Sequence, residues 1–150
     1  FCPTSNLFIG SGLFDRRAMM DAGVTVSLAT DVGGGTSYSM LRTAAEAYKI
    51  LQLQGQNLPS FDAFHMMTAG NALALGLQDE IGTLEVGTAA DLTVLRVGAT
   101  AAMAHRMARV ENLEQELFVL MTMGDDRAVR ATWVAGVPVY TAEPQPQASA

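Results

Sequence analysis

Residues 24–40 read V-T-V-S-L-A-T-D-V-G-G-G-T-S-Y-S-M, an alternating apolar run that ends in an aspartate, three glycines and the start of a helical pattern. Val24, Val26 and Leu28 alternate with Thr25, Ser27 and Ala29, and the β-branched residues among them favour an extended, packed backbone. The chain must then turn at once into a helix, so the segment predicts a strand–turn–helix unit. Asp31 closes the strand. A carboxylate at the carboxyl end of a buried strand is positioned for chemistry.

Around that unit the pattern predicts mostly helices. Asp15 can cap a short helix from Arg16 to Ala22, with Gly23 ending it in the left-handed conformation. From about Ser39 to Gln54, Leu41, Ala44, Ala45, Tyr48 and Leu51 recur at intervals of three and four along one helical face. Gly55, Asn57 and Pro59 predict a loop, and Ser60 starts another helix through Phe61, Phe64 and Met67. Thr68 is expected to cap a further helix that ends near Gly76. Residues 80–91 are turn-rich and lead into a predicted strand, Leu92 to Val97. The alanine- and methionine-rich stretch 98–111 has no assignable pattern. Asn112 and Gln115 predict a capping pair for a helix through Leu117, Leu120 and Met121, ended by Gly124. A hairpin is expected last. Val129, Ala131 and Trp133 share one face, Ala135 and Gly136 turn the chain, and Val137 to Tyr140 return. After Glu143 the tail lacks apolar anchors and is expected to be disordered.

Composition narrows the function. A net charge of -6 and a pI near 4.7 argue against a nucleic-acid surface, which needs clustered Lys and Arg to neutralise phosphates. Apolar runs fall well short of the roughly 20 residues that cross a bilayer, so a soluble, cytoplasmic protein without a membrane partner is expected. The single cysteine, Cys2, rules out an internal disulfide. With 49% hydrophobic and only 16% charged residues, some apolar surface is expected to meet another part of a larger fold. A first residue of Phe1 suits an excised piece.

Asp31 has two chemical readings. Its carboxylate can bind a zinc or iron ion and accept a proton from a neighbouring water, or it can serve as a turn acceptor for Gly33 or Gly34. Consecutive glycines, Gly33 to Gly35, can cradle an anion or the edge of a flat ring, or simply make a tight turn. No G-K-[ST] follows them, which argues against a nucleotide phosphate site. The two histidines are poor ligand candidates: His65 is expected to be a hydrogen-bonded structural residue in a helix, and His105 a solvated surface residue. Cys2 has no histidine base near it in sequence and reads as a buried, inert thiol.

Three segments, F-C-P-T-S-N at 1–6, L-A-T-D-V-G-G-G-T-S-Y-S-M at 28–40 and residues 80–95, resemble the last part of a protein of the amidohydrolase superfamily, and within it the branch that deaminates guanine. The resemblance covers about residues 1–140. It implies an α/β fold: the C-terminal part of a metal-dependent (β/α)8 barrel, plus strands of the small amidohydrolase β-sandwich. Residues 1–80 would be the last βα units of an incomplete barrel, 81–143 sandwich strands with an intervening helix, and 144–150 a tail. A whole barrel needs about 250 residues, so only part of one fits here.

By the same resemblance Asp31 ends the eighth barrel strand as metal ligand and proton acceptor, with zinc or iron as the cofactor of the full-length enzyme. Cys2, Pro3, Ser5 and Asn6 match the end of the seventh strand. Ser5, Asn6, Gly33 and Gly34 would touch substrate or orient the metal site. The H-x-H pair and the two further histidines of the family pattern would lie before Phe1, so the isolated chain is expected to be inactive and to hold no metal tightly. The implied parent converts guanine to xanthine and ammonia. Its expected partners are the purine substrate and further copies of itself, with self-association of this chain. Two alternatives stand beside it: an amidohydrolase acting on another cyclic amidine or a triazine, and a noncatalytic α/β module.

Overall fold

The computed structural model describes residues 1–142. Pro3 opens α1 (Pro3–Phe8), where a missing amide proton costs nothing. Asp15 Oδ1 accepts from the Ala18 amide at 3.0 Å and starts α2 (Arg16–Asp21), and Gly23 follows it at φ +76° as expected. Ser39 Oγ accepts from the Arg42 amide at 3.3 Å at the head of α3 (Met40–Leu53). Of the stripe read from spacing, helix α3 buries Leu41, Ala44 and Leu51 and leaves Ala45 and Tyr48 half-buried, while Ala47 and Ile50, outside that stripe, are buried as well.

Next come α4 (Ser60–Met67) and α5 (Ala69–Leu75), the latter ended by Gly76 at φ +73°. Thr68 is the cap residue of α5, as expected, but its side chain makes no capping bond. Its hydroxyl donates instead to the Phe64 carbonyl at 2.7 Å, back into the helix just finished, as threonine does when a carbonyl four residues earlier is in reach.

Strand β1 (Leu92–Leu95) is two residues shorter than the predicted Leu92 to Val97, because Leu95 pairs with Val129, the first residue of the neighbouring strand, which a single turn of 3-10 helix precedes. The unassigned stretch contains α6 (Ala101–Met107), capped by Thr100 Oγ1 accepting from the Met103 amide at 3.2 Å. Asn112 Oδ1 accepts from the Gln115 amide at the start of α7 (Leu113–Met123). The Gln115 side chain reaches back one residue further than a capping box would, to the Glu111 amide at 3.1 Å. Gly124 ends α7 in extended backbone.

The hairpin is as expected. Strands β2 (Val129–Val134) and β3 (Val137–Thr141) pair antiparallel, and Ala135 and Gly136 both take positive φ, +49° and +77°. That pair of angles makes a two-residue turn whose twist matches the flanking strands. Strand β2 lies in the middle, so the sheet order is β1-β2-β3.

One expectation fails outright. Residues 24–30 are extended but do not form a strand. A strand needs a neighbouring backbone along its length, and among the described residues only Phe1 pairs with the segment in that way: its nitrogen donates to the Ser27 carbonyl at 2.8 Å and its carbonyl accepts from the Ala29 amide at 3.1 Å. This is a single rung of parallel pairing about Leu28.

Leu28, Ala44, Ala47, Leu51, Leu58, Ala63, Met66 and Met121 form one buried cluster. Each large aliphatic member contributes about 1.5–3 kcal/mol by leaving water. Leu41, Ala99, Met103, Leu120 and Ala128 form a second beside the sheet. Helix α7 contributes to both, and the buried Ser60 hydroxyl ties α4 to it by donating to the Glu114 carbonyl at 2.8 Å. Large apolar side chains stay exposed over much of the surface, among them Leu7 and Phe8 at the end of α1, Ile9 and Leu13 after it, and Val134, Val137 and Val139 on the hairpin. No described helix is long and apolar enough to cross a membrane. Residues 144–150, the expected tail, lie outside the described residues.

Candidate functional site

The approach to Asp31 is fixed by main-chain bonds from several directions. Leu28, 1% exposed, anchors the extended segment in the core. Its amide donates to the Met66 carbonyl at 3.1 Å, and its carbonyl accepts from Asn71 Nδ2 at 2.9 Å. Two residues later the Thr4 hydroxyl donates to the Thr30 carbonyl at 3.2 Å. The backbone that presents Asp31 is thus tied to α1, α4 and α5.

At Asp31 the chain enters the left-handed region, φ +47°. This conformation is uncommon outside glycine, and aspartate is among the residues that tolerate it. The turn is closed by main-chain atoms alone, the Asp31 carbonyl accepting from the amides of Gly34 at 3.1 Å and Gly35 at 2.5 Å. Among the described residues no hydrogen bond or ion pair engages the Asp31 carboxylate, and the residue is exposed. The turn-acceptor reading of this side chain therefore gives way: the peptide carbonyl does that work and leaves the carboxylate for another partner.

The glycines are not equivalent. A Cβ on Gly35 would overlap the Thr30 carbonyl and sit 3.0 Å from the Asp31 carbonyl and Thr4 Oγ1, so no side chain fits. A Cβ on Gly34 would sit 2.8 Å from Ser5 Oγ and 3.2 Å from Asp31 Oδ2. Gly33 has open space around it and is required for its angle, φ +118°.

Of the other residues singled out from sequence, Ser5 is brought to Asp31 by the packing of α1 against α3 and the glycine turn. Asn6 is not. Its side chain donates to Ser11 Oγ at 3.1 Å, within its own loop. Cys2 is half-buried rather than buried, because it precedes α1 as its cap residue. His105 is exposed in α6, as expected. His65 is exposed too, with its ring close to Gly70 and no side-chain hydrogen bond among the described residues, so the expected bonded role does not hold there. At the end of α4 it faces solvent instead of a polar partner. Thr4, Asn71 and Phe1 were not identified from sequence. Only contacts distant along the chain reveal them.

An exposed carboxylate on a constrained backbone, with no internal partner, is chemically suited to ligate a divalent cation. It is one donor, whereas a catalytic zinc takes about three from the protein. Among the described residues no three His, Cys, Asp or Glu side chains gather as a metal cluster.

Comparison with known proteins places this geometry in context. The sequence pattern of the amidohydrolase family matches residues 1–139. Guanine deaminase of Escherichia coli (strain K12) is 46% identical over 140 residues, which cover 93% of this chain and 32% of that protein. A probable guanine deaminase of Deinococcus radiodurans is 38% identical, covering 95% of this chain and 33% of that protein. The solved structure of E. coli guanine deaminase superposes with a TM-score of 0.93 at 45% identity, over 95% of this chain and 34% of that one. The chain spans about a third of the length of the relatives it matches.

Proposed function

The chain belongs to the amidohydrolase family, and on that premise we propose that it is part of an enzyme that hydrolytically deaminates guanine to xanthine and ammonia. The single observation that carries this reading is the Asp31 carboxylate, exposed and without an internal partner on a backbone held by its own turn. Similarity to guanine deaminases over nearly the whole chain supports the substrate.

In this reading the rung between Phe1 and Leu28 belongs to two adjacent parallel strands of a (β/α)8 barrel, with residues 1–80 its last βα units and 81–143 part of the small β-sandwich. Asp31 would be one ligand of a zinc or iron ion, the others coming from the rest of the full-length enzyme. That ion would supply the positive charge that makes water a competent nucleophile near neutral pH. Asp31 takes the proton that water gives up on one carboxylate oxygen. Water oxygen adds at C2 of the ring, the exocyclic C–N bond breaks, and the proton goes to the departing nitrogen, so guanine and water become xanthine and ammonia. The bonds to the Asp31 and Thr30 carbonyls fix the backbone from which that side chain projects, so little backbone reorganisation is needed as the proton moves. The enzyme is read as cytoplasmic and homo-oligomeric.

The test is a substrate panel on the full-length protein: guanine, other purines, pterins and amino- or chloro-triazines, with ammonia and ring product quantified. Equimolar xanthine and ammonia from guanine, at a kcat/KM well above every other compound, is the expected result. Preference for a triazine or another cyclic amidine would overturn the substrate, and no turnover of any of them would overturn the enzyme.

A further inference from the structure

Resting on the reading of Asp31 just given, we propose that Ser5 is a positioning residue for its carboxylate, and that Gly34 is glycine because the two side chains share the space over its Cα.

Ser5 lies in the first turn of α1 and is 1% exposed. Buried hydroxyls are nearly always hydrogen-bonded, yet among the described residues nothing pairs with Ser5 Oγ. The adjacent Thr4 hydroxyl is already committed to the Thr30 carbonyl. The Phe1 carbonyl, which a serine four residues on could bond, accepts from Ala29 instead. The Ser5 hydroxyl is aimed at Gly34: its oxygen and Asp31 Oδ2 lie within 3.2 Å of one point beside that glycine's Cα. The two oxygens are therefore at most about 6 Å apart, a span that one polar atom standing clear of the Gly34 backbone, a water or a substrate nitrogen, covers with a hydrogen bond to each. A hydroxyl can donate to that atom while the carboxylate accepts from it, which fixes the rotation of the carboxylate without neutralising it. Asn6 and Gly33, singled out alongside these residues from sequence, take no part.

The experiment uses full-length enzyme in five forms: wild type, Ser5→Ala, Ser5→Thr, Gly34→Ala, and the Ser5→Ala/Gly34→Ala double variant. Steady-state constants for guanine are measured with metal retention against a chelator. Ser5→Ala should lower kcat about 10- to 100-fold with KM nearly unchanged, and Ser5→Thr, which keeps the hydroxyl, should recover most of the loss. Because Ser5→Ala and Gly34→Ala disturb one shared contact, the double variant should be no slower than the slower single one. Multiplying losses, wild-type kcat in Ser5→Ala, or equal losses in Ser5→Ala and Ser5→Thr would each overturn the proposal. Should Ser5→Ala fail to fold, Ser5→Thr and Gly34→Ala decide it: a near-wild-type kcat in the first with a loss in the second supports it, and the reverse overturns it. If wild type does not deaminate guanine, the substrate reading fails separately. Metal retention across the same cycle still decides the pairing, non-additive loss supporting it and additive loss overturning it.

Discussion

Phe1 brackets Leu28 in the manner of a parallel ladder, its nitrogen bonded to the residue before and its carbonyl to the residue after. Three residues beyond that rung stands Asp31, so its placement depends on the pairing of two segments 26 residues apart.

Replacing Asp31 by Asn in the full-length enzyme keeps the shape and removes the charge. Among the described residues no hydrogen bond or ion pair uses that carboxylate, so the melting temperature of the metal-free enzyme should stay within about a degree or two, as for surface changes of under ~0.5 kcal/mol. Turnover should fall by about 10²–10⁴-fold or more. Retained guanine deamination would remove Asp31 from the chemistry.

The isolated 150-residue chain should not convert guanine and should bind zinc only weakly, since it offers one carboxylate where about three protein ligands are needed. Its exposed Leu7, Phe8, Ile9 and Leu13 should make it associate and take up an apolar dye. Light scattering, dye fluorescence and an assay for xanthine check this. A monodisperse monomer with no dye uptake would favour an independent binding module.

Gly35 and Gly33 should respond differently to alanine. At Gly35 the methyl group meets two carbonyls and the Thr4 hydroxyl, and the backbone must move, at a cost of roughly 3 kcal/mol. Gly33→Ala meets no atom and bears only its positive φ, about 1 kcal/mol. Chemical denaturation of the two variants gives the order, and equal losses would contradict the packing described around Thr30.

Acid should weaken the cap of α2. The Ala18 amide, and after it the Gln56 side chain at 2.8 Å, hold the Asp15 carboxyl below its ordinary value of 3.8. A carboxyl whose folded pKa is depressed stabilises the fold above the unfolded value and loses that contribution as pH falls through the folded one. The melting-temperature gap between wild type and Asp15→Ala should therefore be level at neutral pH and close below pH 3.8. A gap that is unchanged in strong acid would show that the charged cap contributes nothing.

Much of the fold was legible because its signals are local. Asp15, Ser39 and Asn112 cap the helices that follow them through side chains that reach only three residues along the chain. Spacing identified Leu41, Ala44 and Leu51 on the buried face of α3 but not Ala47 and Ile50, and Ala135-Gly136 marked the hairpin turn. Helix α6 escaped because its one strong signal, Thr100, stands in a stretch of alanines and methionines that shows no clear apolar period. Residues 24–30 were misread for the opposite reason: their alternation is that of a strand, but strand formation needs partners that this chain supplies only at Phe1.

The sequence by itself determined where the Asp31 carboxylate stands in the chain and that glycines turn the chain behind it, since both are properties of adjacent residues and their allowed backbone angles. Only the tertiary structure decided that Asp31 keeps its carboxylate free while its carbonyl closes the turn. The same holds for Ser5 facing it and Asn6 turning away. These outcomes depend on α1 packing against α3 and on the rung at Leu28, contacts between residues far apart in the chain, and such contacts form only when the buried clusters bring them together.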